Sequence, residues 1–401
     1  MMAGPADELP QPDEAALAHS RALRERIDAA IAMAGGALDF AEYMALALYA
    51  PGLGYYSAGQ QRFGPGGDFT TAPLMTDLFA RTLALETARV LEDVGGDTVL
   101  EFGAGTGRMA ADILLGLKAA DALPRRYLIV EVSADLRAEQ ARTLEALPSE
   151  LAERVTWLER LPKQPIRGVV LANEVLDALP VRRFRRSASG VEALAVGHDA
   201  RGNLAWQPRP ADEELLAAVA EIEQTLDQTL PEGYCSEWCP GLRPWVHSLG
   251  DCIEAGAALL IDYGYPRAEY YHRQRATGTL LCHYRHRAHD DPFFLPGLQD
   301  ITASVDFTAV ADAAEAAELS LLGFATQGNY LAGAGLPQLL EQMAAGDPNR
   351  AAELAQQAKP LLFPDEMGER FKVLGLGRGL TAPLVGFGFA DHRDRLHLKS
   401  I

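Results

Sequence analysis

Apolar positions along the chain fall into two kinds of run. The first recurs every three or four residues. Ala16, Leu17, Leu23, Ile27 and Ile31 predict an amphipathic helix over residues 14–33. A shorter helix is expected over residues 40–48, with Asp39 as its N-cap and Glu42 as the capping-box partner three residues on. The second kind is continuous: Val99-Leu100, Tyr127–Val132, Val155–Leu158, Gly168–Asn173 and Ala257–Tyr263. Helical patterns over 74–91, 109–122 and 134–147 separate these runs. Strands with little alternation are covered on both faces, so the runs predict a parallel sheet between layers of helix. Right-handed crossovers make it an open, doubly wound α/β sheet of Rossmann-like form.

The pattern changes at Val181. Residues 182–207 alternate and carry turn signals at Ser189-Gly190 and Arg201-Gly202-Asn203, which predicts an inserted β-ribbon. Helices are expected at 212–230 and 245–254, then near 307–318, 336–345 and 349–357, with final strands at 319–326 and 371–376. Residues 264–304 read as a long His- and Pro-rich segment. Four regions follow: N-terminal helices with a Gly/Pro-rich active-site loop (1–95), a cofactor-binding core (96–181), an inserted ribbon with helices (182–255), and the rest of the core with a His-rich loop and C-terminal helices (256–401). The N-terminal extension and the insertion are expected to form an α+β lobe on the substrate side.

Composition narrows the classes. The 401 residues are 48% hydrophobic and 23% charged, with a formal net charge of −19. Such an acidic chain is a poor general binder of nucleic acid, whose phosphates need a basic face. No apolar run approaches the ~20 residues of a membrane-spanning helix, so no membrane insertion is expected. Residues 1–14 hold Asp7, Glu8, Asp13 and Glu14 and no Lys or Arg, unlike a secretory signal or transit peptide. A cytoplasmic protein is therefore expected. Four cysteines are too few for a disulfide framework. Cys235, Cys239 and Cys252 are expected as free thiols, without metal. Arg182, Arg183, Arg185 and Arg186 read as a solvated strand face or a contact for an acidic partner. Oligomeric state is not legible.

The candidate chemistry begins at Thr98–Met109, where Gly103, Gly105 and Gly107 follow a strand and precede a helical pattern. A dinucleotide fingerprint would need its third glycine at position 108, which is arginine. The G-x-G-x-G turn with Glu101 two residues before it resembles class I methyltransferases. There the acid helps hold the amino-acid moiety of S-adenosylmethionine, and Ala104 lies within the same turn. Glu131 ends the next strand, where a carboxylate can accept both ribose hydroxyls. S-adenosylmethionine is the expected cofactor and S-adenosylhomocysteine the product. The loop over residues 49–73 interleaves Gly and Pro with Tyr55, Tyr56, Phe63 and Phe69, which suggests a ligand-facing wall. Asp68, Phe69 and Thr70 are its candidate cofactor contacts. Asn173, Glu174 and Asp177 lie just beyond the fourth strand, the side where open α/β sheets bind ligands. Asn173 is assigned to the cofactor, and Glu174 and Asp177 to catalysis. The alternative is that the two acids cap the following helix. Asp262 and Tyr263 end the next strand, with a site role or a local hydrogen-bonding role. His286 is the third catalytic candidate; with His289 it has a substrate-side, loop-ordering or packing role. The spacing of His283, His286 and His289 does not suit a zinc helix, and no metal is expected.

The ordered blocks Tyr49–Tyr56, Gly67–Pro73, Ala172–Val181, Leu260–Gly264, His286–Asp290, Asp300–Phe307 and Met367–Val373 resemble the MidA-like family, which includes the mitochondrial complex I assembly arginine methyltransferase. The blocks span nearly the whole chain. The chain departs from the family at Leu74, where an acid is usual, and in reading Gly-Ala-Gly-Thr-Gly at its turn. The resemblance implies a class I S-adenosylmethionine-dependent methyltransferase acting on a protein arginine, on a respiratory complex I-type subunit. A cofactor-binding assembly factor without transfer and a small-molecule methyltransferase remain the alternatives.

Overall fold

The computed structural model describes residues 9–58 and 71–396. Its centre is a twisted sheet whose strands lie in the order Val155–Leu158, Arg126–Val130, Thr98–Phe102, Ile166–Asn173, Ile253–Tyr265, Phe371–Arg378, Ser320–Thr326. Only Phe371–Arg378 runs against its two neighbours. The two-residue strand Val305–Asp306 pairs beside the end of Ile253–Tyr265. Every residue of Thr98–Phe102 is buried, as continuous apolar runs require. Helices Leu78–Val94 and Arg108–Ala119 cover one face through Leu83, Val90, Ile113 and Leu117. Helices Leu242–Cys252 and Phe307–Ala316 cover the other through Val246, Leu249, Phe307 and Val310. After Thr98–Phe102 the chain winds outward through two strands. It then returns to the strand's other side at Ile166–Asn173. That reversal opens a crevice at the carboxyl ends of the strands.

The inserted ribbon is a four-stranded antiparallel sheet, Leu204–Pro210, Gly190–His198, Arg182–Ser187 and Cys235–Trp238 in spatial order. Leu38 bridges it to the N-terminal helices Glu14–Met33 and Phe40–Tyr49 by pairing with Val196. Its arginines are not a solvated face. Arg182 is buried and pairs with Asp39, Asp212 and Glu214. Arg183 approaches Glu237, Arg185 pairs with Glu192, and Arg186 faces Glu223. Arg182 and Arg186 tie this sheet to the helices around it, while Arg183 and Arg185 pair between its own strands.

Several elements differ from the sequence pattern for local reasons. The helix expected from Leu74 breaks into Ala72–Met75 and Leu78–Val94. Thr76 is extended between them, and its hydroxyl accepts the Leu78 N–H. The segment 264–304 holds a three-stranded sheet, Arg287–His289, Leu281–Tyr284 and Asp300–Thr302. The short strand Cys235–Trp238 was invisible because its central residues, Ser236 and Glu237, are polar yet fully buried. Asp39 does cap its helix, accepting the Ala41 N–H.

Candidate active site

The crevice widens into a cavity of about 930 Å³ over the ends of the central strands. The glycine turn forms its floor. Gly103, Gly105 and Gly107 adopt φ of 60°, 52° and 80°, a left-handed backbone that a side chain would strain. Gly107 also packs tightly, since a Cβ there would lie 3.0 Å from Gln140 Cα. Helix Arg108–Ala119 starts directly after it.

Two carboxylates flank the turn. Glu101 is fully buried; the Tyr127 hydroxyl donates to its Oε2 at 2.6 Å, while its Oε1 is buried with no hydrogen-bond partner. Burial, reinforced by the nearby Glu131 charge, pushes the Glu101 carboxyl up to about 7. Glu131 is buried at the end of the next strand. Its two oxygens accept from the Ser133 N–H at 2.9 Å and the Gln140 Nε2 at 3.0 Å. Beside it Val132 is 74% exposed and Leu136 lines the same cavity. These groups fit S-adenosylmethionine. The orphaned Glu101 oxygen suits an ammonium group. Glu131 borders the cavity at its strand's end, where a carboxylate can accept from hydroxyls. Val132 and Leu136 offer apolar surface to a flat ring.

The far side of the cavity is acidic and aromatic. Glu174 sits in a left-handed conformation with φ of 54°, its N–H bonded to the Ile261 carbonyl. The Asn173 Nδ2 donates to Glu174 Oε1 at 3.1 Å. Glu174 is half-buried and opens on the cavity. Desolvation and the neighbouring Asp177 and Asp300 charges push its carboxyl up to about 8. Asp177 is buried and pushed up to about 6, chiefly by desolvation. Among the described residues neither acid has a salt-bridge partner within 4 Å, although Arg275 and Arg370 line the same cavity. Tyr49, Tyr56 and Tyr263 line the same end. The Tyr56 hydroxyl donates to Asp300 Oδ1 at 3.0 Å, and Tyr49 donates to the Ala178 carbonyl at 2.8 Å.

The structure brings Glu101, Gly103, Ala104, Gly105, Glu131, Asn173, Glu174 and Asp177 to the lining of one cavity, with Gly107 closing the turn beneath it. His286 is not among them, and its catalytic assignment is corrected. It is exposed at the turn of the hairpin Leu281–His289, with φ of 61°. Alternation along the preceding strand places His283 on the cavity instead, where burial holds its imidazole down at about 4. Asp262 does not line the cavity. It accepts the N–H groups of Leu176, Asp177 and Tyr263, and so fixes the loop that carries Asp177. Asp68, Phe69 and Thr70, with Phe63, lie outside the described residues. Sequence reasoning missed Asp300 on the cavity and Gln140, which stands behind Glu131. Asp300 lay inside a quoted motif, but nothing local signalled a role, because its partner Tyr56 is 244 residues away.

Comparison with known proteins bears on this cavity. The sequence model of the S-adenosyl-L-methionine-dependent methyltransferase family matches residues 82–325. A COG1565 superfamily member from Burkholderia thailandensis, solved bound to S-adenosyl-homocysteine, is 44% identical. It superposes with a TM-score of 0.91 over 96% of this chain and 100% of that one. "Protein arginine methyltransferase NDUFAF7, mitochondrial" from Rattus norvegicus is 31% identical, covering 85% of this chain and 81% of its own length. The Homo sapiens protein of that name is 29% identical over the same share of this chain and 80% of its own. These relatives overturn the expected cytoplasmic location, since each is a mitochondrial protein. Among the described residues no helix is long and apolar enough to cross a membrane. S-adenosylmethionine is the cofactor of this protein, and the doubly wound α/β sheet is a methyltransferase sheet. The chain belongs to the S-adenosyl-L-methionine-dependent methyltransferase family.

Proposed function

We propose that the protein methylates an arginine side chain of a protein, with Glu174 and Asp177 receiving the guanidinium. The observation that carries this reading is the pair of acids facing the cavity without a cationic partner. Carboxyl groups raised by burial, and at Glu174 also by its neighbours' charge, gain most from a cation that enters between them. A planar guanidinium suits this better than an ammonium, because its parallel N–H groups can pair bidentately with a carboxylate. Asp300, held by Tyr56, borders the same space and adds to its negative field. The relatives named protein arginine methyltransferase support the same acceptor. A complex I-type subunit is the acceptor protein that the family resemblance implies.

In this reading Glu101 and the glycine turn hold the amino-acid end of the cofactor, and Glu131 with Asn173 holds its remainder near the ribose. The bound sulfonium supplies an electrophilic methyl: a guanidine nitrogen forms the new N–C bond, the C–S pair returns to sulfur, and one proton leaves the nitrogen. Glu174 accepts that proton. An entering guanidinium favours the ionised carboxylate, which readies Glu174 as a base only when acceptor is bound. Tyr49, Tyr56 and Tyr263 exclude water from the acceptor side, so positioning and a dry site supply most of the rate. The N-terminal helices and the 182–255 insertion form the acceptor-side lobe.

Incubation with methyl-labelled cofactor and candidate proteins tests this. Label on arginine in a protein band supports it. Label confined to small molecules, or cofactor binding with no transfer to any acceptor, overturns it.

A further inference from the structure

Gln140 is fully buried on helix Ala134–Glu145, between the two cofactor-holding elements. Its Nε2 donates to the Gly105 carbonyl at 3.1 Å and to Glu131 Oε2 at 3.0 Å. Its Oε1 accepts from the Trp157 Nε1–H at 2.9 Å. An indole N–H can only donate, so Trp157 fixes which end of the amide faces the turn and which faces the third strand. The Gln140 backbone presses on Gly107 from the same side, and Thr143 one helical turn later donates to the Thr106 carbonyl at 2.7 Å. The helix is thus latched to the glycine turn at three successive residues, 105, 106 and 107. Both ends of the buried amide are used: its nitrogen by Gly105 and Glu131, its oxygen by Trp157.

We infer that Gln140, oriented by Trp157, is a positioning residue for the cofactor: it locks Glu131 to the glycine turn so that the nucleoside and amino-acid ends are held at a fixed separation. Each end of the cofactor is then held by an element that the other end's element also steadies. Loss of the amide would leave both elements folded but free to shift by the few tenths of an ångström that hydrogen-bond geometry does not tolerate.

The test is the affinity of the full-length protein for S-adenosylhomocysteine by calorimetry, with the melting temperature of the unliganded protein as the folding control. Gln140→Leu is expected to raise Kd about 10-fold, as loss of one or two buried hydrogen bonds implies. Gln140→Glu is expected to bind as weakly at pH 8, where its carboxylate faces the Gly105 carbonyl and the Glu131 carboxylate with no donor. Near pH 5.5 protonation of the introduced carboxyl restores a donor, so Kd should recover several-fold relative to the leucine variant at the same pH. The groups packed about position 140 are Glu131, with Glu101 beyond it on the neighbouring strand, Trp157 from the third strand and the glycine turn. Protonating Glu101 weakens its hold on an ammonium, which is opposite in sign to the recovery expected of Gln140→Glu. Leucine within twofold of wild type, or a glutamate variant that follows the leucine variant at both pH values, overturns the inference. If Gln140→Leu does not fold, Trp157→Phe carries the test: a weaker affinity supports the lock, and an unchanged one overturns it.

Discussion

The two ends of the cavity are built differently. The cofactor end is drawn largely from one contiguous stretch, residues 101–107, with Glu131 on the adjacent strand. Its acids take donors from inside the fold, Tyr127 for one Glu101 oxygen and Ser133 and Gln140 for Glu131, while Glu101 Oε1 is left without one. The acceptor end gathers Tyr49, Tyr56, Glu174, Asp177, Tyr263 and Asp300 from four separate parts of the chain. Among the described residues Glu174 and Asp177 form no salt bridge, and the Asn173 amide donates to Glu174. In the proposed function one end is a cradle for the cofactor and the other a field that a cationic acceptor would enter. The cofactor end can therefore be probed by binding alone, whereas the acceptor end shows itself in turnover.

Glu174→Gln separates the ends most sharply. It is expected to lower kcat roughly 10²-fold or more, the scale of general-base loss, while the affinity for S-adenosylhomocysteine stays within about twofold of wild type. In the wild-type enzyme kcat/KM should rise with pH toward about 8 as the free Glu174 carboxyl loses its proton, and that limb should vanish in the variant. An unchanged kcat would dissolve the distinction between the two ends.

Glu101→Ala tests the other end. It removes the orphaned acceptor beneath the turn and should weaken S-adenosylhomocysteine by about 2–3 kcal/mol, roughly 30- to 150-fold in Kd. Calorimetry reads this directly, and a loss confined to kcat would contradict it. Asp300→Asn is a smaller change, because the Tyr56 bond can persist to an amide oxygen. We expect about a 10-fold rise in the KM for an arginine peptide and no change in cofactor affinity. A matching loss of cofactor binding would move Asp300 to the wrong end of the cavity.

The smallest effect is on stability. The folded Glu101 carboxyl, raised to about 7, keeps a proton that the unfolded chain releases near its usual 4.5. Folded protein thus binds more protons across that interval, and its stability falls as pH rises through it. Glu174 and Asp177, also raised, act with the same sign. The unliganded protein should melt a few degrees lower at pH 8 than at pH 5.5. Glu101→Gln should flatten part of that slope in thermal melts.

Helix Glu14–Met33 and strand Val155–Leu158 match their expected bounds, because each carries an unbroken period of one kind. Cys235–Trp238 did not read as a strand, because Glu237 is buried through Thr279 and Arg183, which lie far from it in the chain. The same contrast governs the site. Glu101, the three glycines and Glu131 were legible because strand, turn and helix constrain them locally. His286 was misplaced by its motif: a hairpin turn exposes it, while strand alternation, which only register reveals, puts His283 on the cavity.

The sequence by itself determined the parallel core, the glycine turn and its flanking acids, since periodicity and left-handed backbone are properties of short stretches. Only the tertiary structure decided that Asp300 meets Tyr56, that Gln140 locks Glu131 to Gly105, and that the arginines after Val181 are internal ties. Those contacts join residues that no local pattern pairs. They form because burying a charge or an amide is costly until a partner from elsewhere in the chain supplies the hydrogen bond.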